Sequence, residues 1–429
     1  MQARVRHNPD GTLTLETTFT PGASMLECER TILQALNEAG TLATACCLEH
    51  FDSDGAPISM GGVRMTSKGK VGKIYQTPYG EVPVERHVYQ SSSGGETFSP
   101  LDRNARIVRD ATPRFAEMCA SKMACMKSTE AVDDLRRSNG RAIARSYLQN
   151  VASDVALVVW EKEALWSYEV PELPAEVATI SLGIDGTCML FCEGGYRQAM
   201  VGTIALYDTQ GERLYTLYVA AAPEYGKGGF YTDMEREIRS ITALYPHAQV
   251  VAVADGAEDN WNFLRKYTGG LILDFYHAAG YVADAAPALG GRPAQRESWT
   301  ASTCHRLKHE PGAAADLLEE MIAARIEGRG GQVQEKLGKA ITYFTNHLEM
   351  MDYCGYRADK LPIGSGVTEA ACKVIVKERM SGSGMKWKER GAQAVLTLRA
   401  LIKSGGRWDQ FWDKVSQYGF EVLKGSRAR

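Results

Sequence analysis

Two aspartates follow apolar runs, where an acid is hardest to keep. Asp185 comes after Ser181-Leu182-Gly183-Ile184 and before Gly186-Thr187, and Asp255 comes after Val250-Val251-Ala252-Val253-Ala254 and before Gly256. A carboxylate at the end of a buried strand is costly unless it is paired, protonated or bound to a cation, and two side by side repel each other. A divalent metal resolves that conflict, although strand-terminal Asp-Gly is ordinary turn chemistry for either residue alone. The third acid, Glu369, lies in Gly364-Ser365-Gly366-Val367-Thr368-Glu369-Ala370-Ala371, in the first turn of an expected helix with Ser365 as its N-cap. Helical spacing lines up Glu369, Lys373 and Lys377 at i, i+4 and i+8. One acid followed by two cations suits a metal ligand with phosphate-binding lysines behind it, or a surface ladder with a dipole-favoured glutamate. His277, just past the run Leu271 to Phe275, either orients a scissile phosphate or closes the strand as a hydrogen-bonded structural histidine.

The elements that must position these residues are legible as a pattern. Val177 to Ile184, Ala199 to Tyr207 and Arg213 to Ala221 read as strands, Tyr231 to Leu244 as a helix, and Gln249 to Ala254 and Leu271 to Phe275 as strands. A meander followed by a right-handed crossover sets the fourth strand beside the first, about 4.8 Å away, with an aspartate ending each. From Ala285 to Met351 an Ala-, Leu- and Glu-rich stretch with Leu317, Leu318, Met321, Ile322 and Ile326 interrupts the α/β rhythm as an all-helical insertion. The chain resumes at Leu361 with a helix to about Met380. The loop Ser381 to Lys388 then lets backbone amides approach phosphates, while Lys386, Lys388 and Arg390 supply charge. Trp387 either stacks on an unpaired base or packs in the core.

Upstream, Pro21 to Phe51 reads as two helices broken at Gly40, and Gly61 to Asp102 as a small β-hairpin module. Ser128 to Leu135, then Asn139-Gly140, then Ile143 to Leu157 has the outline of a helix-turn-helix. Arg137, Arg141 and Arg145 fall around its turn and the start of its second helix, where a recognition helix meets phosphates and base edges; an ordinary helical hairpin with a solvated basic face has the same pattern. Pro171 and Pro174 flank an acidic linker. The resulting division is 1–102, N-terminal helices and β-hairpin module; 103–172, helix-turn-helix region; 173–284, first part of the core; 285–357, helical insertion; and 358–429, C-terminal part of the core with basic helices.

The 429 residues are 44% hydrophobic and 24% charged, a globular composition that excludes a disordered or fibrous chain. Lys and Arg number 49 against 52 Asp and Glu, so any nucleic-acid surface has to be local. Such a surface exists in outline, because from Arg357 onward there are 15 Lys plus Arg against 7 Asp plus Glu. The ten cysteines include no CxxC pair, and Cys46, Cys47 and His50 lack a distant partner set, so a structural zinc is doubtful. The polar start and the lack of any long apolar run lead to the expectation of a cytoplasmic, nucleoid-associated protein that does not meet a membrane.

The segments Asp185-Gly186-Thr187, Val253-Ala254-Asp255-Gly256-Ala257, Asp274-Phe275-Tyr276-His277-Ala278 and Asn346-His347 to Met351-Asp352-Tyr353 resemble the DDE transposases of the bacterial ISKra insertion-sequence group. The longest similarity runs from Leu361 through Glu369, Cys372-Lys373, Arg379-Met380 and Ser383-Gly384-Met385-Lys386-Trp387 to Leu398-Arg399. The resemblance implies an RNase H-like catalytic core whose acidic triad is Asp185, Asp255 and Glu369, with Asp274 to His277 similar to the [C/D]xxH motif of Mutator-like transposases. It implies two Mg²⁺ or Mn²⁺ ions, double-stranded DNA of transposon ends and target as partner, Arg379 among the DNA contacts, and a homo-oligomer on DNA. The zinc-ribbon thiols that family members carry in the N-terminal hairpin are missing at Tyr89 to Gly95. The expected activity is end recognition with strand cleavage and transfer. An RNase H-like nuclease or junction resolvase without transposition, and a non-catalytic sequence-specific DNA-binding protein, are the alternatives.

Overall fold

The computed structural model describes residues 2–223, 227–325 and 331–420. It is a mixed α/β structure dividing into two compact units. The first comprises Met1–Glu169 with Arg390–Ile402 and Gly406–Arg429; the second comprises Val170–Glu389 with Lys403–Gly405. No described helix is long and apolar enough to cross a membrane.

In the first unit, the antiparallel pair β1 (Gln2–His7) and β2 (Leu13–Thr18) precedes α1 (Met25–His50), capped by the Ser24 hydroxyl accepting from Glu27 N. One unbroken helix replaces the expected two. Gly40 does not end it; a Cβ there would collide with the Tyr79 ring, so the glycine permits close packing rather than termination. An antiparallel sheet follows, β3 (Ile58–Met60), β4 (Val63–Gln76), β5 (Glu81–Ser91) and β6 (Gly94–Phe98), in that spatial order. Tyr75, Val82 and Val84 bury one face of it against Leu48 and Leu101, the latter from α2 (Pro100–Asn104). Next come α3 (Pro113–Cys125), α4 (Ser128–Asn139) and α5 (Arg145–Lys162), with Gly140 in the left-handed conformation at φ 68° closing α4. That helix–turn–helix outline matches the sequence pattern, except that residues 141–144 form an irregular connection and α5 begins at Arg145.

The second unit is built on a five-stranded mixed sheet. Its strands are β7 (Thr179–Leu190), β8 (Tyr196–Tyr207) and β9 (Arg213–Ala221), then, after α6 (Gly228–Leu244), β10 (Gln249–Ala254), and, after α7 (Glu258–Leu264), β11 (Gly270–Leu273). The order across the sheet is β11-β10-β7-β8-β9, so the fourth strand lies parallel to the first as its pattern required. β7, β8 and β9 run antiparallel, and β10 and β11 extend the sheet in parallel. Ile180, Leu182, Ile204, Leu206 and Leu217 are buried beneath Phe230, Met234 and Ile238 of α6.

An all-helical stretch follows, made of α8 (Phe275–Leu289), α9 (Arg296–His309), α10 (Ala313–Ala324), α11 (Gln332–His347) and α12 (Tyr353–Ala358). Leu317, Leu318, Met321 and Phe344 join the same core as the sheet; Ile326 lies outside the described residues. The helix expected from Val367 to Met380 is composite, with α13 (Gly366–Ala371), a π-helical turn at Cys372–Lys377 and α14 (Glu378–Met380). The last helices, α15 (Glu389–Lys403) and α16 (Arg407–Tyr418), fall mainly in the first unit rather than with the sheet. Buried Arg399 accounts for part of this, donating to Ala124 O at 2.6 Å. The basic residues beyond 420 lie outside the described residues.

Candidate metal centre

Parallel pairing aligns three aspartates across the second unit's sheet. Ala252 pairs with Leu182 and Ala254 with Leu273, so the same register carried onward sets Asp255 level with both Asp185 and Asp274. The Asp274 amide donates to Ala254 O at 2.9 Å, prolonging the ladder to that level. Asp185 differs from expectation in one respect, since it does not end its strand. β7 continues to Leu190 because β8 pairs with it along its full length.

α13 crosses this row. Gly183, on the same face of β7 as Asp185, lets it approach, since a Cβ there would strike Thr368 Oγ1; Thr368 bonds Thr203 at 2.8 Å. At the start of α13 the Ser365 amide donates to Asp274 Oδ2, and the Ser365 hydroxyl donates to Glu369 Oε1 at 3.3 Å instead of capping the helix. At the far end Cys372 Sγ donates to Asp185 Oδ2 at 3.4 Å. Burial, and then the Asp185 charge, push the Cys372 thiol up, so it is a neutral donor.

The side chains group differently from the sequence expectation. Asp274, His277 and Glu369 each bring a possible ligand atom within 4.8 Å of the others, and they are the group of three that does so among the described residues. Asp185 and Asp255 stay outside it. The Asp185 carboxylate is turned toward Gly186 N at 2.6 Å and the Cys372 thiol, and the Asp255 carboxylate toward Ala257 N at 3.2 Å in its own loop. Asp274 is fully buried, whereas the His277 side chain is 47% exposed and Glu369 faces solvent. No lysine or arginine among the described residues lies within ion-pair distance of Asp185, Asp255 or Glu369. Two carboxylates and one imidazole make a donor set that could hold a divalent metal ion.

Two further residues, Tyr343 and His347, take positions by the aspartates that the sequence pattern did not assign them. Tyr343 of α11 donates to the backbone carbonyl of Asp255 at 3.0 Å and stacks on Tyr281 with centroids 3.9 Å apart. Burial, then the Tyr281, Asp255 and Asp274 charges, push its hydroxyl up. His347 holds the Tyr343 carbonyl with Nδ1 at 2.8 Å while Nε2 faces Gly256, whose φ of +101° and absent side chain make room. Long sequence separation hides both.

The basic residues divide. Arg145, Lys373, Lys377, Lys386, Lys388 and Arg390 are exposed, as is Arg137, which reaches Asp133 at 3.9 Å. Arg141 is not on the second helix. It is 6% exposed, donates to Thr77 O at 2.9 Å and Gln76 Oε1 at 2.6 Å, and lies over the Phe115 ring, so it is a packing residue of the first unit and no DNA contact. Arg379 is likewise 4% exposed and stacks 5.2 Å from the Trp387 centroid. Trp387 is committed to packing too. Its indole donates to Met380 O at 2.9 Å and its backbone pairs with Leu190 and Cys192, which pins the basic loop to the end of β7.

All ten cysteines are free, and among the described residues Cys46, Cys47 and His50 do not come together as a metal-sized group of donors. No protein-family model matches the chain, and no curated protein matches it in sequence.

Proposed function

We propose that this chain is a transposase of the DDE kind, with an RNase H-like core that cleaves and joins DNA strands at Asp185, Asp255 and Glu369. The observation that carries the reading is a row of carboxylates at one level of the sheet, crossed by a helix bearing Glu369, with no lysine or arginine among the described residues within ion-pair distance of Asp185, Asp255 or Glu369. The sheet order, three antiparallel strands with two parallel ones beside the first, supports it. Two divalent ions, when bound, would supply the positive charge that in-line attack on a phosphodiester requires. The chain's own part is to hold carboxylates on rigid strands, to aim the exposed His277 imidazole at the scissile phosphate, and to grip the backbone through Lys373, Lys377, Lys386, Lys388 and Arg390. Arg145 on α5 of the first unit serves end recognition, and self-association on DNA follows from the need to join two ends.

The test incubates the purified chain with duplexes carrying the sequences that flank its coding region, in Mg²⁺, Mn²⁺, Ca²⁺ or EDTA. Strand cleavage in Mg²⁺ and Mn²⁺, but not in Ca²⁺ or EDTA, is expected. Asp185→Asn, Asp255→Asn and Glu369→Gln should each lose cleavage while DNA binding persists. Wild-type cleavage by Asp255→Asn, or metal-independent cleavage, overturns the reading.

A further inference from the structure

Of the three side chains that approach within 4.8 Å, Asp274 differs from its companions. It has no exposed surface, and its two carboxylate oxygens are divided between two helix starts. Oδ1 accepts from His277 N at 2.8 Å, which caps α8, and Oδ2 accepts from Ser365 N, the residue that opens α13. A second tie joins the same two segments, because Phe275 N donates to Ile363 O at 2.9 Å. Gly364 lies flat between them, where a Cβ would press on the Tyr276 ring. The two helices so fastened carry His277 and Glu369. Those residues are far apart in sequence, and each sits within one turn of an amide that Asp274 holds.

We infer that Asp274 is a positioning residue: its buried carboxylate clamps the starts of α8 and α13 and thereby sets the separation of His277 and Glu369. The inference rests on the reading of His277 and Glu369 as site residues. Both oxygens receive amide protons inside a fully buried site, so two backbone segments fix the carboxylate at once. Such a clamp needs two acceptor oxygens on a short side chain, whereas Asn and Ser offer one acceptor each and can hold one helix start but not both.

The experiment compares full-length Asp274→Asn, Asp274→Ser and Asp274→Ala by Mn²⁺ binding, by amide hydrogen exchange across 275–278 and 363–369, and by strand cleavage. Positioning predicts that Asn and Ser free one of the two amides, that of His277 or Ser365, to exchange and weaken Mn²⁺ binding roughly 5- to 30-fold, while Ala frees both. If Asn and Ser leave both amides as protected as in wild type, or free one without weakening Mn²⁺ binding, the inference falls. Should Asp274→Ala not fold, the Asn and Ser variants still decide. A wild-type chain that cleaves no DNA sinks the transposase reading alone. A wild-type chain that binds no Mn²⁺ sinks the metal centre, and exchange alone then decides the clamp, which is overturned if Asp274→Asn and wild type exchange alike.

Discussion

A guanidinium is the most adaptable basic group in a protein, and the chain uses it in opposite ways within five residues. Arg145 stands in solvent at the head of α5, whereas Arg141 is consumed by a carbonyl, an amide oxygen and an aromatic face. Arg141→Ala should therefore destabilise the chain by about 2–4 kcal/mol, since it strands two buried acceptors and empties the space over Phe115. Arg141→Lys should rescue little, because one ammonium cannot reproduce the fork. Denaturant unfolding measures this; an unchanged midpoint with altered DNA preference would return Arg141 to the recognition surface. Residue type announced the positive charge at 141 but not its burial, which depends on Thr77 and Gln76 more than sixty positions away. The acids were more legible. An aspartate after an apolar run has few places to be, and Asp185, Asp255 and Asp274 do share one level of the sheet. What could not be read was which carboxylate the turn of α13 would draw toward Glu369, because one backbone amide, that of Ser365, decides it.

Among elements, α5 shows how a helix can be core and surface at once. Leu148, Val151, Ala152, Val155, Ala156, Val158 and Val159 are buried, while Arg145, Ser146, Gln149, Asn150 and Ser153 form an exposed polar stripe over its first half. Arg, Gln and Asn are the side chains that read guanine and adenine edges in a major groove, with about 1–3 kcal/mol of discrimination per good pair. If α5 reads transposon ends as proposed, replacing Arg145 and Gln149 by Ala should reduce the preference for end over random duplex roughly tenfold or more without moving the unfolding midpoint. Retained discrimination in a competition assay would transfer recognition to another element. The helix–turn–helix pattern was visible because Gly140 adopts the left-handed conformation its position calls for. The π-helical turn at Cys372–Lys377 was not visible. The i, i+4, i+8 alignment of Glu369, Lys373 and Lys377 assumed 3.6 residues per turn, and the Glu378 amide, bonding to Lys373 O, shows that the turn is wider. Periodicity reports the average helix and misses a single inserted residue.

For the whole molecule, the division into units departs from linear order. The first unit takes in most of α15 and α16, so a fragment ending at Glu169 lacks the partner of Ala124 O and the apolar faces of Leu396, Leu398 and Phe411. A fragment of residues 1–169 should melt below the same fragment joined through a flexible linker to residues 390–420, by several degrees in a thermal scan. Equal melting temperatures would mean that the C-terminal helices add nothing to the first unit. Hydrophobic pattern identifies α15 and α16 as amphipathic but cannot say which core receives their apolar faces.

Because the polypeptide leaves the first unit at Glu169 and rejoins it at Arg390, synthesis and assembly run out of step. A ribosome adding about 5–20 residues per second spends on the order of 10–45 s on the intervening segment. The carboxylate-bearing unit is thus almost entirely translated while the unit with α4 and α5 still awaits its closing helices. A message broken anywhere in that interval yields a product with an unfinished first unit, lacking the helices that complete its core and exposed to proteases.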